Sequence, residues 1–247
     1  MKLKKYTLFK IFDLEARLRT SIAYNFAETY CKDSKDTLNY LDAQYYNAPP
    51  KTDVNLTNRF KTFDLFRTTQ YWPNGKVRKR SFLDDLKRDK AYANQYTNPP
   101  FWVSIKALPL GSLYYTFVFL DNTVKEKVLI DFGLTLLDAD AFEQALFALK
   151  EMRNQCAHLE LITRFKLKSR RGALNNFNDI RALAGLGRGD LSYLDILKIL
   201  RKFGMISDIK RQIGIFYFVM FLKGRKRIAD KALSKMGRKK LSVWLKL

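Results

Sequence analysis

The sequence predicts a mainly α-helical protein, a helical bundle followed by a basic helical C-terminal region. Three observations predict it. Apolar residues recur at spacings of three and four over long segments, the signature of helices with one buried face. The segment Asp138–Leu161 keeps that stripe with no Gly or Pro to break it. Positive charge is concentrated late in the chain, with 22 Lys/Arg against 6 Asp/Glu over residues 159–247 and 24 against 18 over residues 1–158.

Taken in order, Leu8, Ile11, Phe12, Leu14, Leu18, Ile22, Phe26 and Ala27 define a helix over Tyr6–Tyr30. Lys32–Gln70 is polar and broken by Pro49-Pro50, so it reads as a loop region with room for short helices. Ser81–Tyr96 reads as a helix with Ser81 as N-cap and Asp84 and Asp85 in its first turn. Pro99-Pro100 ends that segment. Phe101–Leu108 and Ser112–Leu120 are read as helices, although periodicity alone leaves strands open there. Phe142, Ala145, Leu146, Leu149, Met152 and Cys156 make the stripe of the late helix. Ile180–Leu186, Leu191–Phe203 and Ile228–Leu247 are further helices, and Gly185, Gly187 and Gly189 form a loop. Ile213–Leu222, rich in Ile, Phe, Tyr and Val, is the best strand candidate, and a buried helix would look the same.

At 247 residues, 47% hydrophobic and 14% aromatic, the chain can bury a sizeable core in one large or two small domains. The expected division is a helical domain over 1–171 and a basic region over 172–247. A net charge of +22 is costly in self-repulsion and points to a polyanionic partner. The longest apolar stretch, Ile213–Leu222, is ten residues, short of the about 20 that span a bilayer. Lys10, Asp13, Glu15 and Arg17 stand where a signal peptide would be apolar, so export is not expected. Cys31 and Cys156 are too few for a disulfide framework or a thiolate zinc site, which fits a reducing cytoplasm. The expected localisation is cytoplasmic, with no membrane partner.

One histidine, His158, excludes any mechanism that takes two from one chain, including most His-rich zinc hydrolases. No phosphate-binding Gly-x-x-x-x-Gly-Lys-Ser/Thr loop and no Gly-x-Ser-x-Gly elbow occurs. No metal and no cofactor is expected. The remaining chemistry lies in Arg153-Asn154-Gln155-Cys156-Ala157-His158. Asn154 and His158, four apart, share a helix face, while Arg153 lies about 140° round from His158. Imidazole moves protons near neutral pH, and guanidinium binds phosphate oxygens. Together they are the parts needed to cleave RNA without a metal. A helix-end histidine hydrogen-bonded to a carbonyl, beside a solvated arginine, is the alternative reading of the same residues.

The basic excess clusters at Arg164, Lys166, Lys168, Arg170 and Arg171, and at Lys223, Arg225, Lys226 and Arg227 within a run reaching Lys240. With Phe165 and Trp244 nearby, these clusters read as an RNA surface where phosphates are neutralised and bases stack. A solvated basic face, or a membrane-surface helix over 223–247, is the competing reading.

The segment Leu14-Glu15-Ala16-Arg17-Leu18-Arg19-Thr20-Ser21-Ile22-Ala23-Tyr24, taken with Arg153–His158, resembles the Ile-Glu-x-x-Leu-Arg-Thr-x-Ile-Ala-Tyr helix and the Arg-x4-6-His motif of the Abi-like (AbiD/AbiF) abortive-infection family of the HEPN superfamily. Trp102, Leu110-Gly111-Ser112-Leu113-Tyr114 and Asp131-Phe132-Gly133-Leu134 look like its middle segments, so the likeness covers about residues 6–171. The family's helical region ahead of the Glu-x-x-x-Arg helix is nearly absent here, and residues after about 172 align with no family counterpart.

The resemblance implies a HEPN-like bundle and a metal-independent endoribonuclease of bacterial antiphage defence, working by 2′-hydroxyl attack. His158 would act as general base or acid, Arg153 would stabilise the phosphorane, and Asn154 would orient one of them. Glu15 and Arg19, one turn apart, would form a supporting ion pair. The implied partners are RNA, as substrate and as a bound small non-coding RNA, and a second copy of the chain in a homodimer. Two other classes compete: a catalytically silent RNA-binding protein in a ribonucleoprotein, and a DNA-binding regulator using Leu191–Phe203 as recognition helix.

Overall fold

The computed structural model describes residues 2–71, 78–158, 161–168 and 176–247. It is mainly α-helical, as expected, and the chain folds as two compact units, 17–136 and 1–16 with 137–247. The long first helix, α1 (Lys2–Tyr30), contributes its C-terminal half to the first unit and its N-terminal half to the second.

In the unit 17–136, the polar-looking stretch after α1 supplies much of the aromatic core. Tyr40, from a 3₁₀ segment, stacks on Phe101 at 4.7 Å between ring centroids and donates its hydroxyl to the Pro99 carbonyl at 2.9 Å. Phe26 of α1 meets Phe101 edge-on at 5.3 Å and stacks with Tyr46 at 5.6 Å. Such pairs add to area burial because ring edges are positive and faces negative. A short helix, α2 (Val54–Lys61), and a hairpin of β1 (Thr68–Tyr71) and β2 (Arg78–Ser81) follow; the sequence reading did not anticipate the hairpin.

Ser81 is the N-cap of α3 (Phe82–Asp89), as expected, and forms a capping box with Asp84, but the helix stops at Asp89 and a separate 3₁₀ turn covers Ala91–Gln95. The two apolar segments after Pro99-Pro100 are helical: α4 (Phe101–Ser104) with a 3₁₀ extension, and α5 (Leu110–Phe119). Asp121 caps α6 (Asn122–Asp131). The C-terminal end of α6 is clamped to α1, since Asp131 accepts from Ser21 Oγ at 2.6 Å and from Asn25 Nδ2 at 2.8 Å. Arg17 donates to the Asp131 carbonyl and lies over the Phe132 ring at 4.5 Å. Gly133 turns the chain at φ 69°, a left-handed conformation that a Cβ disfavours.

In the other unit, α7 (Ala139–Ala157) buries the predicted stripe: Phe142, Ala145, Leu146, Leu149, Met152 and Cys156 are all core residues. The two-residue strands β3 (Lys166–Leu167) and β4 (Leu191–Ser192) pair antiparallel. Helices α8 (Asn178–Ala184) and α9 (Tyr193–Lys202) pack on α7. Gln144 of α7 ties α8 in place, accepting from the Ile180 N–H at 3.1 Å and donating to Asp179. Tyr193 shares a buried hydrogen bond of 2.6 Å with Thr7 of α1. The glycines from Gly185 to Gly189 lie in a loop, as read.

Ile213–Leu222 is not a strand; it is the C-terminal part of α10 (Ser207–Leu222). A strand needs a neighbour to satisfy its N–H and C=O groups, and among the described residues β3 and β4 pair only with each other. A helix closes those bonds within itself. The expected helix Ile228–Leu247 is two helices, α11 (Lys226–Met236) and α12 (Leu241–Leu245), broken at Gly237. Trp244 of α12 is fully buried, stacks on Tyr193 and donates to the Arg238 carbonyl at 2.7 Å.

Helices α8 to α12 share a compact unit with α7. Among the described residues, no helix is long and apolar enough to cross a membrane.

Candidate functional site

The site is built on the last two turns of α7. Met152 and Cys156 point into the core at 0% and 3% exposure, which leaves Arg153, Asn154 and Gln155 half-buried at its border. His158 is the C-cap residue, with φ −80° and ψ 18°, and its N–H donates to the Asn154 carbonyl at 3.0 Å. Its side chain is exposed. The helix thus ends on the histidine, three residues before Leu161. Gln155 Nε2 reaches the Leu161 carbonyl at 3.4 Å and ties the following chain back to the helix.

Arg153 carries the main electrostatic feature. Its Nε is shielded from solvent and, among the described residues, has no hydrogen-bond partner. Lys4, on α1 in the same unit, has a shielded Nζ that also lacks one. A buried donor left unmade costs about 1–3 kcal/mol, and more when charged. Lys4 was not singled out in the sequence, and no local pattern marks it; only the packing of α1 brings its charge toward Cys156. Burial pushes the Cys156 thiol up to about 11, with Lys4 pulling weakly the other way. The thiol therefore stays protonated at neutral pH and is no nucleophile.

The supporting pair is distributed over both units. Glu15 is 4% exposed and belongs with α7, whereas Arg19 belongs with residues 17–136, where its Nη2 donates to the Leu108 carbonyl at 2.9 Å. Among the described residues, no group of three His, Cys, Asp or Glu could hold a metal ion.

Arg164, Lys166 and Lys168 are exposed, as are Lys223, Arg225, Lys226 and Arg227 at the α10–α11 junction. Arg170 and Arg171 lie outside the described residues. Although the two clusters are far apart in sequence, the 3₁₀ turn Ile162–Arg164 packs against α11, so the fold brings them into one region that begins just after His158. The aromatic residues expected to stack on bases do not lie on this surface. Phe165 is 4% and Trp244 0% exposed, both used by the core. Nor is α9 free to enter a DNA groove, since Tyr193, Leu194, Ile196, Leu197, Ile199 and Leu200 are all buried.

Compared with known proteins, residues 1–162 match the model of the Abi-like protein family. No curated protein and no solved structure matches the chain.

Proposed function

The chain belongs to the Abi-like protein family, which implies a role in abortive infection defence, and on that premise we propose that it is a metal-independent endoribonuclease of antiphage defence. The observation that carries the proposal is an exposed imidazole on the C-cap residue of the helix that also bears Arg153, whose Nε has no acceptor among the described residues. In this reading the ribose 2′-oxygen attacks the adjacent phosphorus and the bond from phosphorus to the 5′-oxygen breaks. His158 takes the 2′-hydroxyl proton or returns one to the leaving oxygen. Arg153 offsets the charge that develops on the phosphorane oxygens, and Asn154 orients one of the two. Glu15, in the same unit as α7, would support the site from α1.

A HEPN-like homodimer completes the reading. A single histidine cannot stand on both sides of the scissile phosphate, and a two-fold axis beside α7 would bring a second copy of Arg153 and His158 to the cleft. The region 172–247 would hold RNA rather than cut it.

Purified protein incubated with total RNA in EDTA is expected to leave 2′,3′-cyclic phosphate and 5′-hydroxyl ends. Uncut RNA would instead support a silent RNA-binding protein that forms a ribonucleoprotein with a small structured RNA. Ends carrying 5′-phosphate would exclude 2′-hydroxyl attack.

RNA holding is tested by substitution rather than by truncation, because removing residues 223–247 would take the buried Trp244, Leu233 and Met236 out of the core. Serine at Arg164, Lys166, Arg225 and Arg227 is expected to lower the log–log salt slope of single-strand binding by about 0.7 for each phosphate no longer neutralised. An unchanged slope would assign these side chains to something other than phosphate.

A further inference from the structure

The helical form of α10 creates a surface that a strand would not have. Ile215, Phe218, Val219 and Leu222 follow the i, i+3, i+4, i+7 spacing of one helix face and are 46%, 60%, 40% and 67% exposed. Phe221 beside them is 55% exposed. The rest of the bundle holds the opposite side of the helix: Tyr217 donates to Asp230 of α11 at 3.0 Å, and Ile209 and Ile213 are fully buried. Directly after the stripe come Lys223, Arg225, Lys226 and Arg227, all exposed, with no acidic residue among them.

We propose that, against the expectation of no membrane partner, this stripe docks the protein on an anionic bilayer surface, α10 lying in the plane of the headgroups and the cationic collar, which also serves RNA in the proposed function, meeting lipid phosphates there. Apolar side chains that enter the acyl boundary, next to Lys and Arg that meet lipid phosphates, are what such a surface selects. Docking on a surface needs no spanning segment, so the short length of the apolar stretch does not oppose it. A second copy fits less well. The stripe is about 12 Å long at 1.5 Å per residue, against the about 800 Å² per partner of a stable interface. Arg211 and Asp208 occupy the same face one and two turns earlier, where an antiparallel partner would need apolar residues. RNA accounts for the collar but offers nothing to Ile215, Val219 or Leu222.

The full chain is mixed with vesicles of phosphatidylglycerol and phosphatidylcholine, or of phosphatidylcholine alone, and sedimented. Binding to the anionic vesicles only is expected, weakened by salt, and lowered at least about tenfold by Phe218→Ser with Leu222→Ser. A Phe218→Trp variant should shift its emission to the blue on the same vesicles, which also answers should the double variant fail to fold. Equal binding by the double variant, or no emission shift, overturns the proposal. Light scattering that finds a dimer split by the double variant, without vesicle binding, gives the stripe to a second copy. Loss of RNA affinity in the double variant, again without vesicle binding, gives it to RNA.

Discussion

His158→Ala is expected to lower RNA cleavage by about 10²- to 10⁴-fold, the usual loss when a general acid or base is removed. The melting temperature should barely move, since the side chain is exposed and the cap hydrogen bond to Asn154 is made by the backbone N–H, which alanine keeps. Arg153→Ala should lower cleavage in the same range, because it removes a fixed charge from the developing phosphorane. Its Nε makes no hydrogen bond among the described residues, so little of that loss should come through stability. The measurement is single-turnover cleavage beside a thermal melt for each variant. Cleavage at the wild-type rate by either variant would remove that residue from the chemistry. Adding inactive His158→Ala to wild type separates a shared site from an independent one: in a shared site, activity falls below the wild-type fraction as mixed dimers form. Strict proportionality, with a monomer by light scattering, would leave His158 acting within one chain.

Gly237→Ala is expected to be among the most destabilising single substitutions in the chain. Gly237 ends α11 at φ 145°, where side chains other than glycine's rarely go. A Cβ built there would sit 2.7 Å from Leu194 Cβ and 2.7 Å from Ser192 Oγ, closer than van der Waals radii allow. Backbone strain of about 1–3 kcal/mol and overpacking of similar size would combine. The atoms in the way are not loose ends. Ser192 caps α9 in a capping box with Asp195, and Leu194 is a core residue of that helix. The melting temperature should fall on the order of 10 °C. Gly224→Ala is the control, since Gly224 has φ 66° but nothing within 4 Å of its added Cβ. It should show the backbone strain without the clash, and equal melting of the two variants would refute the close approach at Gly237.

What the sequence determined by itself was local. The stripe from Phe142 to Cys156 and the N-cap at Ser81, unlike Phe101–Leu108 and Ser112–Leu120, where spacing left helix and strand open and the fold chose helix, rest on interactions within a few residues, so their spacing is enough. The placement of Arg153 and His158 at the end of α7 came through for the same reason, as did the family likeness carried by short motifs. What only the tertiary structure decided depends on partners distant in the chain. Ile213–Leu222 is helical because no strand lies beside it, among the described residues, to complete a ladder. Phe165 and Trp244, read as stacking surfaces for bases, are both buried, Trp244 stacked on Tyr193 from α9, about fifty residues earlier in the chain. The break at Gly237 follows from the approach of α9, and the union of the basic clusters from packing of α11 against the turn after α7. Periodicity records which face of a helix is apolar; only packing determines what covers that face, and on α10 it leaves the apolar stripe uncovered.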